Sequence, residues 1–268
     1  MARKNTHNRS NPENGAPQYQ APAVQKAFEL LQAVAESRTE IGISELAQRV
    51  GYSKSTTHGL VQALLRVGAL DQNPQRKKLF LGPTVVELAF RSWNYFRVVE
   101  KAQAHLDELR DQLGETVFLG ALSRSRSLIM ATAETAKPLK ISSPPGTTIP
   151  LLAGAVGKIF LALQSEDQIL QIIREVGLPR FTARSIVDEQ TYLTELAQVR
   201  RQGYALDNEE YLAGVRAVAV GLGNHRGLPL AVWVVGFVDS MNDGVIGGIV
   251  QSTRKAAEKL KNVLDNGS

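Results

Sequence analysis

The chain has 268 residues, 43% hydrophobic and 21% charged, enough for two soluble domains that each bury a core. It has no cysteine, which excludes disulfides, thiolate nucleophiles and cysteine-held zinc and suits a reducing, cytoplasmic setting; no stretch reaches the ~20 consecutive apolar residues of a membrane helix, so no membrane partner is expected. The net charge of +5 is uneven: residues 1–82 carry 11 Lys/Arg against 6 Asp/Glu, and residues 83–268 carry 20 of each, which points to a polyanion partner for the N-terminal third, although a bare solubility bias would look the same.

Residues 1–22 are polar, with Asn5, Asn8, Asn11 and Asn14, and read as a disordered, weakly basic tail without the apolar core of a signal peptide. Val24, Ala27, Phe28, Leu31 and Val34 then recur at helical spacing and predict a first helix from about Val24 to Ala35. After a loop at Ser37 and Arg38, Ser44 is the expected cap of a short second helix with Leu46, Ala47 and Val50 on its inner face. Gly51 supplies a tight turn, and Ser53 caps a third helix, Lys54 to Val67, with Leu60, Val61, Leu64 and Leu65 inward. Two short apolar runs, Ala69 to Asp71 and Leu79 to Leu81, flank Asn73-Pro74-Gln75 and Arg76-Lys77-Lys78 and predict a hairpin.

Thr84 to Arg97 and Val98 to Leu113 read as helices. Beyond Gly114, strands are expected at Thr116–Leu122, Leu128–Glu134, Ala217–Leu222 and Pro229–Val238, and helices at Ala155–Leu163, Asp167–Val176, Asp188–Gln202 and Ile246–Leu264. Hairpin-like spacing makes the sheet mainly antiparallel. The predicted class is α+β, with a helix-turn-helix and a hairpin wing at residues 23–83, a helix at 84–98 and a mixed domain with a mainly antiparallel sheet at 99–268.

In a helix-turn-helix the second helix lays its N-terminal residues in the major groove of double-stranded DNA. Candidate contacts are Ser44, Ser53, Lys54, Ser55, Thr56, Thr57 and His58, whose hydroxyls and charge can reach phosphates or bases. Arg76, Lys77 and Lys78 form a basic wing tip for phosphates; without the upstream motif they would pass for a solvated turn. Gly59, inside the reading helix, costs ~1 kcal/mol relative to Ala and reflects either a close backbone approach to DNA or drift.

Val24-Gln-Lys-Ala-Phe-Glu-Leu-Leu31, Ser53-Lys-Ser-Thr-Thr-His58, Leu81-Gly-Pro83, Gly114-Glu-Thr-Val117, Gly157-Lys158, Gly203-Tyr-Ala-Leu-Asp-Asn-Glu-Glu210 and Gly214-Val215 together resemble the IclR family of bacterial transcription regulators, from Val24 to about Leu264. The resemblance implies that the helix at 84–98 is a linker and that residues 99–268 form an effector-binding and oligomerisation domain related to GAF domains, with a small-molecule effector that is usually an organic acid and homodimers often paired into tetramers; no cofactor is expected. The family usually carries Arg where this chain has Gly59. The implied effector site lies between the sheet and the start of the helix near Gly154, at Ile149, Gly154, Ala155, Val156, Asp207, Ala217, Val234 and Gly236. Free N–H groups at a helix start bind a carboxylate without a lysine. Met130 and Trp233 join the site if they face it; Val234 and Trp233 could equally be plain core. Relatives with hydroxyl or thiol side chains at 217, 234 and 236 have a more polar pocket, so a bulkier or aromatic carboxylate is expected here. Asp207 either accepts a ligand hydroxyl, repels a second carboxylate or only shapes a turn, and Glu209 and Glu210 read as exposed charge.

Two other classes make different demands on the residues. Gly154-Ala-Val-Gly157-Lys158 fails as a phosphate loop because Leu152 stands at the first glycine position and Ile159 at the Ser/Thr position, leaving Lys158 as a helix-surface lysine. His7, His58, His105 and His225 lack ligand spacing for a metal. An enzyme fused to a DNA-binding domain would need a nucleophile and base in the C-terminal pocket, and an architectural DNA binder would need that pocket filled.

Overall fold

The computed structural model describes residues 21–37, 39–91 and 93–265, so most of the tail expected over 1–22, and Arg38, lie outside the described residues. The chain divides between residues 91 and 92 into two compact units. Among the described residues no helix is long and apolar enough to cross a membrane.

The first unit is built from α1 (Pro22–Glu36), α2 (Ile43–Val50), α3 (Lys54–Arg66), β1 (Leu70–Gln72), β2 (Leu79–Leu81) and α4 (Pro83–Arg91). Helix α1 begins two residues earlier than its apolar stripe suggested, because Pro22 at the first turn gives up no helical hydrogen bond. Ser44 does not cap α2: the helix starts at Ile43, Gly42 holds the N-cap position, and no side chain caps it. Gly51 ends α2 at φ 73°, where a glycine bears no Cβ penalty. Strands β1 and β2 pair antiparallel, Leu70 opposite Leu81, and Ile41 bridges Leu79. Leu30, Val34, Ile41, Leu46, Val61, Leu64, Leu70 and Leu79 form the core.

The second unit opens with α5 (Trp93–Leu113), so the linker expected over 84–98 straddles the division between units. Its strands are β3 (Thr116–Ser123), β4 (Arg126–Ala133), β5 (Thr148–Pro150), β6 (Tyr204–Asn208), β7 (Val215–His225) and β8 (Leu228–Phe237), and its other helices α6 (Gly154–Ala162), α7 (Glu166–Val176), α8 (Glu189–Gln202) and α9 (Ile246–Asp265). They form one antiparallel sheet in the order β5-β4-β3-β8-β7-β6. The edge strands β5 and β6 have only three and five residues, too short for an alternation to stand out in the sequence.

Both faces of the sheet are covered. Val117, Leu119, Val218, Val232 and Val234 pack against Val98, Ala102, Leu106 and Leu109 of α5 and Ala257 and Leu260 of α9. Phe118, Ala217, Ala231, Trp233 and Val235 pack on the other side with Ile159 and Phe160 of α6, Ile169 of α7 and Leu196 of α8. Alternate residues of one strand therefore serve different layers. The alternation slips twice: Leu119 pairs with Ala131 and Gly120 with Ile129, leaving Met130 as the extra residue of a bulge, and Gly221 pairs with Ala231 and Gly223 with Leu230, leaving Leu222 as another.

Helix α6 lies very close to the segment before it, since a Cβ at Gly157 would overlap the Leu151 carbonyl oxygen. Gly157→Ala must push the helix off its seat, so it is expected to destabilise this unit by about 1–3 kcal/mol. Thermal unfolding followed by circular dichroism checks this; a midpoint equal to that of the wild type would contradict the tight seat.

Candidate nucleic-acid interface and effector pocket

Helix α3 presents one exposed stripe. The Ser53 hydroxyl caps the helix by accepting the Thr56 N–H at 3.2 Å and bonds the Thr56 hydroxyl at 2.9 Å. Lys54, Ser55, Thr56, His58 and Gly59 are exposed. Thr57 is not: it is 0% exposed, and its hydroxyl has no hydrogen-bond partner among the described residues. The reason is periodicity, because Thr57 leads the inward row continued by Val61 and Leu64 at i+4 and i+7. It is withdrawn as a DNA contact. Gln62, which the sequence reading passed over, is exposed four residues after His58; counting i+4 along the outer face would have found it.

The wing is shaped by Asn73, whose side-chain oxygen accepts the N–H groups of Gln75 and Arg76 at 3.1 and 3.0 Å. Arg76 and Lys77 are exposed, the latter at φ 56°. Lys78 turns back instead, with Nζ 3.4 Å from the Glu45 carboxylate of α2, and so ties the hairpin to the first helix of the motif.

In the second unit a cavity of about 180 Å³ opens between the sheet and the start of α6. Its apolar wall includes Phe118, Ile129, Val215, Ala217, Trp233 and Val235, with the Phe118 and Trp233 rings stacked at 5.5 Å. Its polar groups are Ser143, Thr147, Thr148, Asp207 and Tyr211. Ile149, Gly154, Ala155 and Val156 line it as well. No side chain caps α6, and the N–H groups of its first turn, Gly154, Ala155 and Val156, have no partner within the helix.

Three expected pocket residues lie elsewhere. Met130 and Val234 belong to the core against α5 and α9, and a side chain at Gly236 would run into Glu115 and Met241 on that same face. Reading β8 one residue out of phase moves a side chain to the opposite layer; Trp233 and Val235 are the residues that face the cavity. Met130 is displaced by the bulge.

Behind the pocket sits a charge cluster that the sequence concealed. Lys158 is 1% exposed rather than on the surface. Its Nζ donates to Glu210 at 2.7 Å, Glu195 of α8 at 3.0 Å and the Leu206 carbonyl at 2.9 Å. Glu210 is therefore a buried lysine's partner, and Glu209 bonds the Gly214 N–H at 3.0 Å and lies 3.4 Å from Arg184. Asp207 accepts the N–H groups of Glu210 and Tyr211 on Oδ1, at 2.7 and 3.4 Å. Its Oδ2 points toward α6, 3.0 Å from where a Cβ on Gly154 would stand, a position that glycine leaves open at φ 64°. Burial raises the Asp207 pKa to about 6, against the lowering effect of the Glu210 N–H bond and with a further push from the Glu210 charge. The buried Tyr192 phenol is pushed up for the same reasons, burial first and then the charges of Glu210 and Glu195.

A winged helix-turn-helix in one unit and a cavity lined by apolar side chains and a helix start in the other define a ligand-responsive DNA-binding regulator. Residues 23–74 match the IclR helix-turn-helix domain and residues 91–262 the bacterial transcriptional regulator IclR C-terminal domain; the chain belongs to the IclR family of transcriptional regulators and is not an enzyme. It is 35% identical over 215 residues to the HTH-type transcriptional regulator KdgR of Escherichia coli (strain K12), covering 80% of this chain and 81% of that protein. The structure of an IclR transcriptional regulator from Alicyclobacillus acidocaldarius, 27% identical, superposes with a TM-score of 0.77 over 92% of this chain and 100% of that one. An IclR homologue from Microbacterium hydrocarbonoxydans, solved in complex with 4-hydroxybenzoate and 21% identical, shares the fold with a TM-score of 0.76 over 91% and 100% of the two chains.

Nothing lies within 4 Å of a Cβ built on Gly59. Gly59→Ala is therefore expected to stabilise α3 by about 1 kcal/mol and to raise the unfolding midpoint of the DNA-binding unit. A lower midpoint in a thermal melt would show that the backbone there needs glycine for a reason other than space.

Proposed function

We propose that this regulator responds to a ring-bearing, preferably aromatic, monocarboxylic acid, with its carboxylate on the N–H groups of Gly154, Ala155 and Val156 and its ring against Phe118 and Trp233. The observation that carries this reading is the cavity of about 180 Å³ with apolar walls, closed at one end by an uncapped helix start. A void of ~150 Å³ already accommodates benzene, and a helix start favours an anion. The complex of a same-fold homologue with 4-hydroxybenzoate is in keeping with it. The genes controlled would be those for catabolism of that acid, in the cytoplasm.

On the DNA side, Lys54, Ser55, His58 and Gln62 enter the major groove, and Arg76 and Lys77 of the wing neutralise phosphates. Exposed Val24 and Phe28 on α1, and Val86 and Leu88 on α4, support assembly into dimers, or dimers of dimers, matched to a two-fold operator. Helix α5 packs on the sheet face opposite the cavity, so one layer of strands separates it from the ligand and α4 precedes it in the chain. Effector and operator would each change the other's affinity by the same factor.

The decisive experiment is a thermal-shift series on the full chain. Benzoate and 4-hydroxybenzoate should raise the midpoint, with about 2.7 kcal/mol of stabilisation at a hundred times Kd, and glyoxylate and pyruvate at the same concentration should not. The reverse ranking would remove the reading. For the wing, Arg76→Ala with Lys77→Ala should weaken binding to all DNA sequences and reduce the slope of log affinity against log salt by about 2; an unchanged slope would place the wing off the DNA.

A further inference from the structure

The charge balance around Asp207 carries a consequence for how an acid can bind. The charges that act on Asp207 are those of Glu210, which raises its pKa, and of Lys158, which lowers it. Helix α6 supplies Lys158, already held by Glu195 of α8 and Glu210 of the loop after β6. Tyr192 of α8 is a buried phenol beside both glutamates, and Glu209 is paired with Arg184. Tyr211 lines the cavity, and its N–H bonds Asp207. The cluster of Lys158, Glu195, Glu210 and Asp207 thus holds one cation against three carboxylates.

The cavity itself brings no relief. None of the residues lining it is Lys, Arg or His, and a helix start offers only about half a positive charge. Asp207 is 5% exposed, and among the described residues its Oδ2 has no hydrogen-bond partner. That oxygen faces Gly154, where α6 begins. A ligand carboxylate seated on the first N–H groups of α6 therefore arrives beside a second, buried carboxylate with no free cation between them. Two carboxylates that share a site do not both stay ionised.

We propose that effector binding takes up one proton from solvent, which Asp207 and the ligand carboxylate share through a carboxylic acid–carboxylate hydrogen bond at Oδ2. This rests on the carboxylate reading above and adds to it a linkage between pH and effector. Because burial already raises the Asp207 pKa to about 6, a ligand anion beside it raises it further. The sign follows: below about pH 6 free Asp207 already carries the proton and affinity is greatest; above it each pH unit weakens binding about tenfold, as expected when one proton is bound with the ligand. The regulator would thus bind the acid best when the surroundings are slightly acidic.

The test is titration calorimetry of the full chain with benzoate between pH 5.5 and 8, each pH run in two buffers of different ionisation enthalpy. We expect close to one proton taken up per benzoate at pH 7.5 and the tenfold-per-unit loss above pH 6. Asp207→Asn, which keeps an oxygen for the N–H groups of Glu210 and Tyr211 and offers an amide N–H to the ligand, should bind benzoate with a flat pH profile, and more tightly than wild type at pH 8. Glu210→Gln should keep the proton uptake. Benzoate binding in the wild type without proton uptake overturns the proposal and leaves the carboxylate effector standing. Uptake that survives Asp207→Asn but disappears in Glu210→Gln overturns the assignment to Asp207. No benzoate binding even at pH 5.5 overturns both this proposal and the effector reading. The wild-type proton count tests the uptake itself even if a variant fails to fold.

Discussion

A six-stranded sheet covered on both faces leaves its central strands no polar side. In β8 every residue from Leu230 to Val235 is buried, and the pleat alone decides which layer each joins. Leu230, Val232 and Val234 lock the sheet to α5 and α9, while Ala231, Trp233 and Val235 floor the ligand side. The cavity exists because this second layer is incompletely filled. Small residues at Ala217, Ala155 and Gly154 leave room that Phe118 and Trp233 bound from one side. The pocket and the packing of α5 are thus two faces of the same strands, separated by one backbone.

Lys158 sets the other half of the site. An ammonium cannot stay charged at 1% exposure without partners, and the three it finds come from α8, from β6 and from the loop after it. Those bonds fix the backbone on either side of Asp207, since Leu206 precedes it and Glu210 follows three residues later. Thr182 and Ser185 donate to the carbonyls of Glu209 and Glu210 at 2.7 and 2.8 Å, and Phe181 meets the Tyr211 ring edge-on at 5.0 Å. The rim of the cavity is therefore held by a buried cation and a seam of hydroxyl bonds rather than by the sheet.

The first unit was largely legible because its helices are amphipathic: a 3.6-residue period names the inward residues, and Gly51 and Ser53 mark their own turn and cap. Its failures are local. Thr57 has the hydroxyl of a contact residue but the phase of a core one, and Ser44 has the side chain of a cap while the true cap, Gly42, offers no side-chain signal. In the second unit the strands could be located but not oriented. A run such as Leu230-Ala-Val-Trp-Val-Val235, apolar on both sides, gives no clue to which residue faces the ligand, so Val234 was placed where Val235 stands. The bulge at Met130 has no signature of its own, and Lys158 looked exposed because its partners lie 37 and 52 residues away in sequence.

Magnitudes decide where the selectivity of the pocket resides. A helix start contributes about 0.3–1 kcal/mol toward an anion, up to ~2 when partly buried, and Asp207 works against it. An aromatic ring that loses some 150 Å² of contact with water gains about 4 kcal/mol. The ring therefore outweighs the carboxylate at least twofold. An acid of two or three carbons would meet the same unfavourable charge beside Asp207 without the apolar gain that offsets it. On the proposed reading, a cavity lining without Lys, Arg or His would act as a size filter, favouring an anion whose remaining atoms fill the space between Phe118, Trp233 and α6.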